Sequence, residues 1–206
     1  MKVLIVDDHA IVRAGLKRLL AALPNAVIRE AATGRDALAL YREERADIVL
    51  LDINLPGIGG LELLGRILLL DKTARVLMFS MHTEAVYAGR ALQAGALGYV
   101  SKNAAPDEVL NAIRKVADGG RYIENEIAQE LALQPASGGD PLKQLTERDL
   151  EILRLLGEGR SLAEIAEALG VGYKTVANTS SQIKAKLGVT RTADLIRLSI
   201  EMGVAR

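Results

Sequence analysis

The sequence predicts two domains of different class: an α/β domain with a five-stranded, doubly wound parallel sheet, and after it a smaller all-α domain of four helices. Two observations lead to this prediction. In residues 1–121, short apolar runs alternate with segments whose apolar residues recur at helical spacing. After residue 141 no strand pattern remains, and helical segments separated by glycines follow one another.

The apolar runs are short and show little alternation with polar residues, which is typical of parallel strands buried on both faces. They are Val3–Val6, Val27–Ala31, Ile48–Leu51, Val76–Phe79 and Gly98–Val100. The helical segments that follow them are Ile11–Leu23, Asp36–Glu44, Leu61–Leu70, Ala85–Gln93 and Pro106–Ala117. Five strand–helix units joined by right-handed crossovers give a doubly wound sheet.

Between residues 122 and 141 the periodic pattern weakens. Glu124–Leu133 has the spacing of one short amphipathic helix. The stretch that follows, QPASGGDP, is rich in proline and glycine and indicates a flexible linker. We therefore predict domains at 1–121 and 142–206, with residues 122–141 as the connection.

The C-terminal helices have recognisable starts. Thr146 followed by Glu147 and Asp149 opens the first, and Ser161 with Glu164 forms a capping box at the second. The second, third and fourth helices are predicted at Leu162–Leu169, Tyr173–Leu187 and Thr192–Met202. A tight glycine turn joins the second helix to the third, which is a helix-turn-helix pattern.

The composition excludes several classes of function. The chain has no cysteine, so it contains neither disulfides nor thiolate metal ligands, and its two histidines are too few for a three-histidine metal site. The formal net charge is zero, so any nucleic-acid surface must be a local patch. The N-terminus, MKVLIVDD, is unlike a signal peptide, and Ile67–Leu70 is too short to span a bilayer. We expect a cytoplasmic protein with no membrane partner.

Polar residues follow four of the predicted strands, at the sheet edge where ligands bind in open α/β folds. They are Asp7, Asp8, Asp52, Ser80 and Lys102. Three carboxylates in one pocket repel one another, by about 4 kcal/mol per pair at 4 Å. Mg²⁺ would relieve this repulsion, and one carboxylate could then accept a phosphoryl group. Lys102 would offset the added charge, and Ser80 would hydrogen-bond a phosphoryl oxygen.

These residues lie in four segments, VLIVDDHAIVRAGL, DIVLLDINLPGIGGLELL, VLMFSMH and ALQAGALGYVSK. Through these segments, residues 1–121 closely resemble the receiver domain of bacterial response regulators. The resemblance implies a flavodoxin-like fold. The resemblance implies that Asp52 is the phosphoacceptor and that Mg²⁺ is held by Asp7, Asp8, Asp52 and the Asn54 main-chain carbonyl. It implies that Ser80 and Lys102 sense the phosphoryl group and that Tyr99 is the aromatic switch residue. Asn54 and His82 match positions that tune the lifetime of the phosphate.

The third C-terminal helix, YKTVANTSSQIKAKL, has three lysines and no acid. Lysine, hydroxyl and amide side chains suit contacts with phosphates and base edges, and such a helix fits the major groove. The candidate DNA-binding residues are Lys174, Thr175, Val176, Asn178, Thr179, Gln182, Lys184 and Lys186. Val176, with Ile183 and Leu187, can also face the core of the domain.

Residues 142–206 resemble the LuxR-type helix-turn-helix, and the whole chain resembles the NarL/FixJ response regulators. The resemblance implies double-stranded DNA as a ligand, a histidine kinase as phosphodonor, and a homodimer once Asp52 is phosphorylated. The chain departs from the family pattern where basic residues are common, at Ala177, Thr179 and Ser180. We therefore expect a smaller electrostatic share of DNA binding and a greater need for dimerisation.

The predicted function is that of a response regulator, not an enzyme, whose phosphorylation on Asp52 switches DNA binding and transcription. Two alternatives stay open. The small domain could bind protein with little or no DNA binding, which the missing basic residues favour. Less favoured is an Mg²⁺-dependent phosphatase with an aspartyl-phosphate intermediate, because such enzymes need a general acid and Asn54 stands two residues after the nucleophile.

Overall fold

A computed structural model describes residues 1–133, 141–202 and 204–205 of the chain. They form two compact units, Met1–Leu131 and Ala132–Arg206. Most of the predicted flexible linker, residues 134–140, lies outside the described residues. Within the described ranges, no helix is long and apolar enough to cross a membrane.

The first unit, which we call the α/β unit, is built on a parallel sheet with strand order β2-β1-β3-β4-β5-β6. The strands are β1 Lys2–Val6, β2 Val27–Ala31, β3 Ile48–Leu51, β4 Val76–Ser80, β5 Gly98–Ser101 and β6 Tyr122–Ile123. The predicted doubly wound parallel fold is confirmed, with one strand more than the five predicted. β6 has only two residues, too few for a periodic signal, and it pairs with β5 at the edge of the sheet.

The helices of this unit are α1 Ala10–Leu20, α2 Gly34–Glu43, α3 Gly60–Leu70, α4 Ala85–Gln93, α5 Pro106–Ala117 and α6 Asn125–Leu133. One continuous core is formed by apolar residues of α1 and α5 with those of the central strands, among them Ile5, Leu20, Leu50 and Ile113. All four residues of β3 are buried, which is why its sequence, IVLL, contains no polar residue. This burial holds the ends of β1 and β3 rigidly beside each other.

The helix α6 is attached to the same strand that leads to Lys102. The Glu124 carboxylate accepts a hydrogen bond from the Ser101 main-chain N–H at 2.7 Å, and Ile127 is almost fully buried. A Cβ on Gly89 of α4 would lie 3.3 Å from Leu131, so α6 also packs closely against α4. The first unit therefore extends through most of α6.

The start of α3 lies so close to the end of β3 that a side chain at position 60 would not fit. A Cβ on Gly60 would lie 2.1 Å from the Asp52 carbonyl oxygen and 2.7 Å from the Ile53 Cα. Because both of these atoms belong to the backbone, neither can give way as the tip of a flexible side chain could. Glycine at position 60 thus sets the path of the chain immediately after Asp52.

Gly60→Ala is expected to lower the free energy of unfolding by about 3 kcal/mol, because the new methyl group forces the backbone apart. Gly65→Ala on the same helix is the matched control. Nothing lies within 4 Å of its Cβ position, so the better helix propensity of alanine should leave stability unchanged or raise it. Urea unfolding of both variants measures the difference, and equal midpoints would contradict the close approach at Gly60.

The second unit, which we call the helical unit, consists of a 3₁₀ turn at Pro141–Gln144 and the helices α7 Glu147–Gly157, α8 Leu162–Ala168, α9 Tyr173–Leu187 and α10 Thr192–Glu201. The four predicted helices are all present. Ser161 and Glu164 form the predicted capping box at α8, and Thr146 and Asp149 form a second one at α7. Gly188, with φ of 69°, ends α9 in the left-handed conformation that favours glycine.

Candidate functional site

A lysine and two carboxylates meet at the carboxyl edge of the sheet. Asp7 follows β1, Asp52 follows the neighbouring strand β3, and Lys102 follows β5, which is separated from β3 by β4, so three parallel strands deliver them to one edge of the sheet. The Lys102 Nζ lies 2.7 Å from the Asp7 Oδ2 and 2.7 Å from the Asp52 Oδ2. The three side chains are only 2–5% exposed. The sequence prediction that these residues would lie together therefore agrees with their placement in the structure.

Burial and charge act in opposite directions on this group. Burial raises the pKa of the Asp52 carboxyl above its ordinary value, and the nearby Lys102 ammonium offsets only part of that shift. Burial alone would lower the pKa of Lys102, but the charges of Asp52 and Asp7 outweigh it and raise that pKa. Lys102 therefore stays protonated and supplies a fixed positive charge beside Asp52.

Asp8 and His9 lie at the rim of the same pocket, where they are more exposed than Asp7. The His9 Nδ1 is 2.7 Å from the Asp8 Oδ1 and 3.3 Å from the Asp7 Oδ1. One ligand atom from each of Asp7, Asp8, His9 and Asp52 can be chosen so that all lie within 4.8 Å of one another. Three of these donors are carboxylates, the ligands that Mg²⁺ prefers.

Ser80 ends β4 and Tyr99 lies in the neighbouring strand β5, and both are completely buried. The Lys102 main-chain N–H donates to the Ser80 carbonyl at 2.8 Å, which fixes β4 and β5 in register beside the site. The Tyr99 hydroxyl donates to the His82 carbonyl oxygen at 2.8 Å. The tyrosine ring therefore points inward and is tied to the loop that follows Ser80.

His82 links this loop to the one after Asp52. Its imidazole is buried, stacks on Tyr87 with ring centroids 4.3 Å apart, and places Nε2 3.0 Å from the Asn54 Nδ2. The Asn54 main-chain N–H forms a hydrogen bond with the Asp52 carboxylate, which lowers the pKa of that carboxyl slightly. Sequence reasoning had paired Asn54 and His82 only by their equal offsets from Asp52 and Ser80, and it missed Tyr87, whose helical spacing indicates only a core position.

In the helical unit, α9 separates into a buried face and an exposed face. Of the candidate DNA-binding residues, four are exposed and three are partly exposed: Lys174, Thr175, Asn178 and Gln182, and then Thr179, Lys184 and Lys186. The first four lie at spacings of one, three and four residues along the helix and so share one side of it. This side presents a cation, a hydroxyl and two amides to solvent.

Two candidates on α9 have other roles in the fold. Val176 is completely buried in the core of the unit, so it is removed from the set of DNA contacts. The Lys186 Nζ lies 2.5 Å from the Asp149 Oδ2, where it neutralises the buried carboxylate of the α7 capping box. Sequence reasoning missed this use of Lys186 because the pairing depends on how α9 packs against the start of α7.

The α/β unit has a buried aspartate–lysine pair at its carboxyl edge, and a helix-turn-helix unit follows it. This combination defines a class of two-domain signalling regulators. Residues 3–114 match the family described as the response regulator receiver domain, and residues 143–199 match the luxR family of bacterial regulatory proteins. The chain belongs to the two-component response regulators of the NarL/FixJ type, which regulate transcription through a LuxR-type DNA-binding domain.

Relatives and solved structures agree with this assignment. The chain is 39% identical over 208 residues to the response regulator UvrY of Escherichia coli strain K12, covering 99% of this chain and 95% of that protein. It is 42% identical to the transcriptional activator protein ExaE of Pseudomonas putida, with 100% and 99% covered.

Among solved structures, the fold resembles a LuxR-family two-component response regulator from Aurantimonas sp. SI85-9A1, with 43% identity and a TM-score of 0.61 over 64% of this chain and 94% of that one. It also resembles the response regulator RcsB of Salmonella typhimurium, with 25% identity and a TM-score of 0.63 over 96% and 97% of the two chains.

Proposed function

We propose that Asp52 accepts a phosphoryl group from a histidine kinase and that this event switches DNA binding through α9. The observation that carries the proposal is the position of Lys102, whose ammonium lies 2.7 Å from both Asp52 and the neighbouring Asp7 in a buried pocket. A fixed cation beside a buried carboxylate stabilises the negative charge that arrives with a phosphoryl group. In the transfer, the phosphorus–nitrogen bond of the phosphohistidine breaks as a phosphorus–oxygen bond to Asp52 forms.

The pocket fits Mg²⁺, because Asp7, Asp8 and Asp52 supply carboxylate oxygens close enough to share one ion. We propose these three side chains and the Asn54 main-chain carbonyl as its holders. When bound, the ion would neutralise charge on the phosphoryl oxygens and lower the repulsion between them and the carboxylates. The protein supplies the rest: Asp52 is the nucleophile, and Lys102 moves from pairing with two carboxylates to pairing with the phosphoryl group.

The signal would leave the site through Ser80 and Tyr99. A Ser80 hydroxyl that turns toward the new phosphoryl group would move β4 and the loop that Tyr99 holds at the His82 carbonyl. Helix α4 and strand β5 adjoin that loop, so their outer surface would change with it. Moving such an equilibrium from 1:99 to 99:1 takes about 5.5 kcal/mol of differential interaction, which several charge-assisted hydrogen bonds can supply.

The proposed DNA contacts are those of the exposed side of α9, with Lys174 toward phosphates and Asn178 and Gln182 toward base edges. Lys184 and Thr179, which are partly exposed, would lie at the margin of the contact. A helix with so few free cations binds weakly as a monomer, so a homodimer on two half-sites is part of the proposal. The sequence predicts boundaries at 1–121, 122–141 and 142–206 for the receiver, the connection and the DNA-binding domain, and because α6 packs against α4 and β5 we propose to extend the receiver to residue 131.

The proposal is tested by selecting duplexes from a random DNA pool with the full chain in the presence of a small phosphodonor and Mg²⁺. We expect one enriched motif, bound more tightly by the phosphorylated chain than by the untreated chain. Absence of any enriched sequence would contradict DNA recognition by α9. Equal affinity of the two forms for the enriched duplex would contradict the switch while leaving DNA recognition intact.

His82→Ala is expected to shorten the lifetime of the aspartyl phosphate several-fold. The buried imidazole holds the Asn54 side chain at 3.0 Å, and its removal would leave space for water beside Asn54, whose main-chain N–H bonds to the Asp52 carboxylate. Loss of phosphate is followed after the phosphodonor is removed. Met81→Ala is the matched control, because Met81 is the preceding residue but is 57% exposed. An unchanged half-life in His82→Ala would contradict this role.

Lys174→Ala is expected to weaken binding to all duplexes alike and to reduce the slope of log affinity against log salt concentration by about 0.9. The reason is that Lys174 is an exposed lysine at the start of α9. Affinity is measured by fluorescence anisotropy at several salt concentrations. Lys72→Ala, an exposed lysine of the α/β unit, should leave the slope unchanged, and equal slopes for wild type and Lys174→Ala would remove Lys174 from the interface.

A further inference from the structure

The histidine that follows the two N-terminal aspartates lies beside the carboxylate pocket, and the proposed phosphorylation mechanism does not use it. His9 precedes α1 as its N-cap residue, yet its side chain makes no capping hydrogen bond to the helix. Instead its Nδ1 faces the Asp8 and Asp7 carboxylates. The imidazole is 65% exposed, so an ion in solution can reach it directly.

The distances match those between neighbouring ligands of one ion. Two adjacent ligands of an octahedral ion with bonds of about 2.1 Å lie about 3.0 Å apart, and opposite ligands lie about 4.2 Å apart. The His9 Nδ1 is 2.7 Å from the Asp8 Oδ1 and 3.3 Å from the Asp7 Oδ1, on either side of the adjacent-ligand value. The four candidate ligand atoms, with Asp52 included, lie within 4.8 Å of one another, a limit slightly larger than the distance between opposite ligands, so the pocket needs to contract only a little to hold one ion with all four.

The local backbone holds this geometry in place. The His9 main-chain N–H donates to the Asp7 Oδ1 at 2.8 Å, which fixes the aspartate relative to the residue that carries the imidazole. Arg13, one turn into α1, donates to the Asp7 carbonyl oxygen at 2.7 Å and holds the same turn from the other side. Little rearrangement is therefore needed for the nitrogen and the carboxylates to share an ion.

We infer that His9 gives this pocket a nitrogen ligand for divalent transition-metal ions such as Co²⁺ and Cu²⁺, and that these ions compete with Mg²⁺ for it. The inference deepens the proposed function, because it rests on the same carboxylate pocket. Mg²⁺ prefers oxygen ligands and gains little from an imidazole, whereas nitrogen ligands favour the later divalent ions of the first transition series. The cation that occupies the pocket would then depend on which metals are available as well as on total divalent concentration.

The test is calorimetric titration of the full chain with CoCl₂ and, separately, MgCl₂. Loss of an outer-shell partner alone changes metal affinity about 10–100-fold, so His9→Gln is expected to weaken Co²⁺ binding by at least about tenfold. Mg²⁺ binding should change by less than about twofold, because its oxygen ligands remain. Ile11→Ala, an 88% exposed neighbour on α1, is the matched control and should change neither affinity.

A second measurement reports the ligand directly. Pulsed electron paramagnetic resonance of the Cu²⁺-loaded chain should show coupling to an imidazole ¹⁴N in the wild type and none in His9→Gln. Absence of nitrogen coupling in the wild type, or equal loss of Co²⁺ and Mg²⁺ affinity in His9→Gln, would overturn the inference. If neither ion binds the wild type, the proposed carboxylate metal site is contradicted as well. If Mg²⁺ binds normally and His9→Gln has no effect on Co²⁺ binding, only the role of the histidine is contradicted.

Discussion

Asp52→Asn should abolish phosphorylation of the chain. The amide has the shape of the carboxylate but lacks the nucleophilic oxygen, and it removes one of the two negative charges that hold Lys102. The fold should persist, because the side chain keeps its volume in a pocket that is almost closed to solvent. The expected result is that the mass of one phosphoryl group appears on the wild-type chain after treatment with a small phosphodonor, and that no such increase appears on the variant.

The matched control is Asp118→Asn, at the exposed end of α5, which should be phosphorylated like the wild type. DNA affinity gives an independent readout, because the variant should bind equally well with and without phosphodonor. Phosphoryl incorporation into Asp52→Asn at the wild-type rate would show that another carboxylate of the pocket is the acceptor. The proposed switch would then have to be rebuilt around that residue.

Asp149→Ala should destabilise the helical unit by about 2–4 kcal/mol, a large share of the stability of a domain of this size. Asp149 is 3% exposed, completes the capping box with Thr146, and pairs with Lys186 from α9. The substitution removes the cap and leaves a cation without its partner. Because Lys186 lies on α9, losing its partner should also shift that helix relative to α7, and DNA affinity should fall.

The control for Asp149 is Asp194→Asn on α10, which also removes an acid that pairs with a basic residue, Arg191, but on the surface. Exposed ion pairs contribute little, so the thermal midpoint of this variant should stay close to that of the wild type. Thermal unfolding and DNA affinity are measured on both chains. Equal midpoints for Asp149→Ala and Asp194→Asn would contradict the structural role of the Asp149–Lys186 pair.

The strands and helices of the α/β unit could be predicted because their physical signals are local. Strands such as Ile48–Leu51 are buried on both faces and so are apolar throughout, and α5 has proline and acids at its start. β6 escaped prediction because two residues carry no period, and it exists through pairing with Gly98, where any side chain would meet the Tyr122 carbonyl oxygen. The presence of a glycine at position 98 does not by itself predict this close approach, because it depends on the tertiary structure.

The residues of the candidate site also fall into those that the sequence could predict and those that it could not. Asp7, Asp52 and Lys102 were predictable, because the topology of a parallel sheet delivers the ends of its strands to one edge. The partners of His82 and Lys186 were not, since each depends on the packing of a side chain against a distant element. Val176 shows the opposite case. Its helical spacing already indicated a core position, and its prediction as a DNA contact was wrong.

The attachment of α6 to β5 bears on how this kind of protein can be divided. A chain cut after residue 121 would lose the carboxylate that accepts the Ser101 N–H and would expose the surface that Ile127 covers. The compact α/β unit therefore ends at Leu131, 14 residues beyond the end of α5 at Ala117. Exchange of output domains between such regulators, in the laboratory or by recombination, should succeed only when the joint falls after α6.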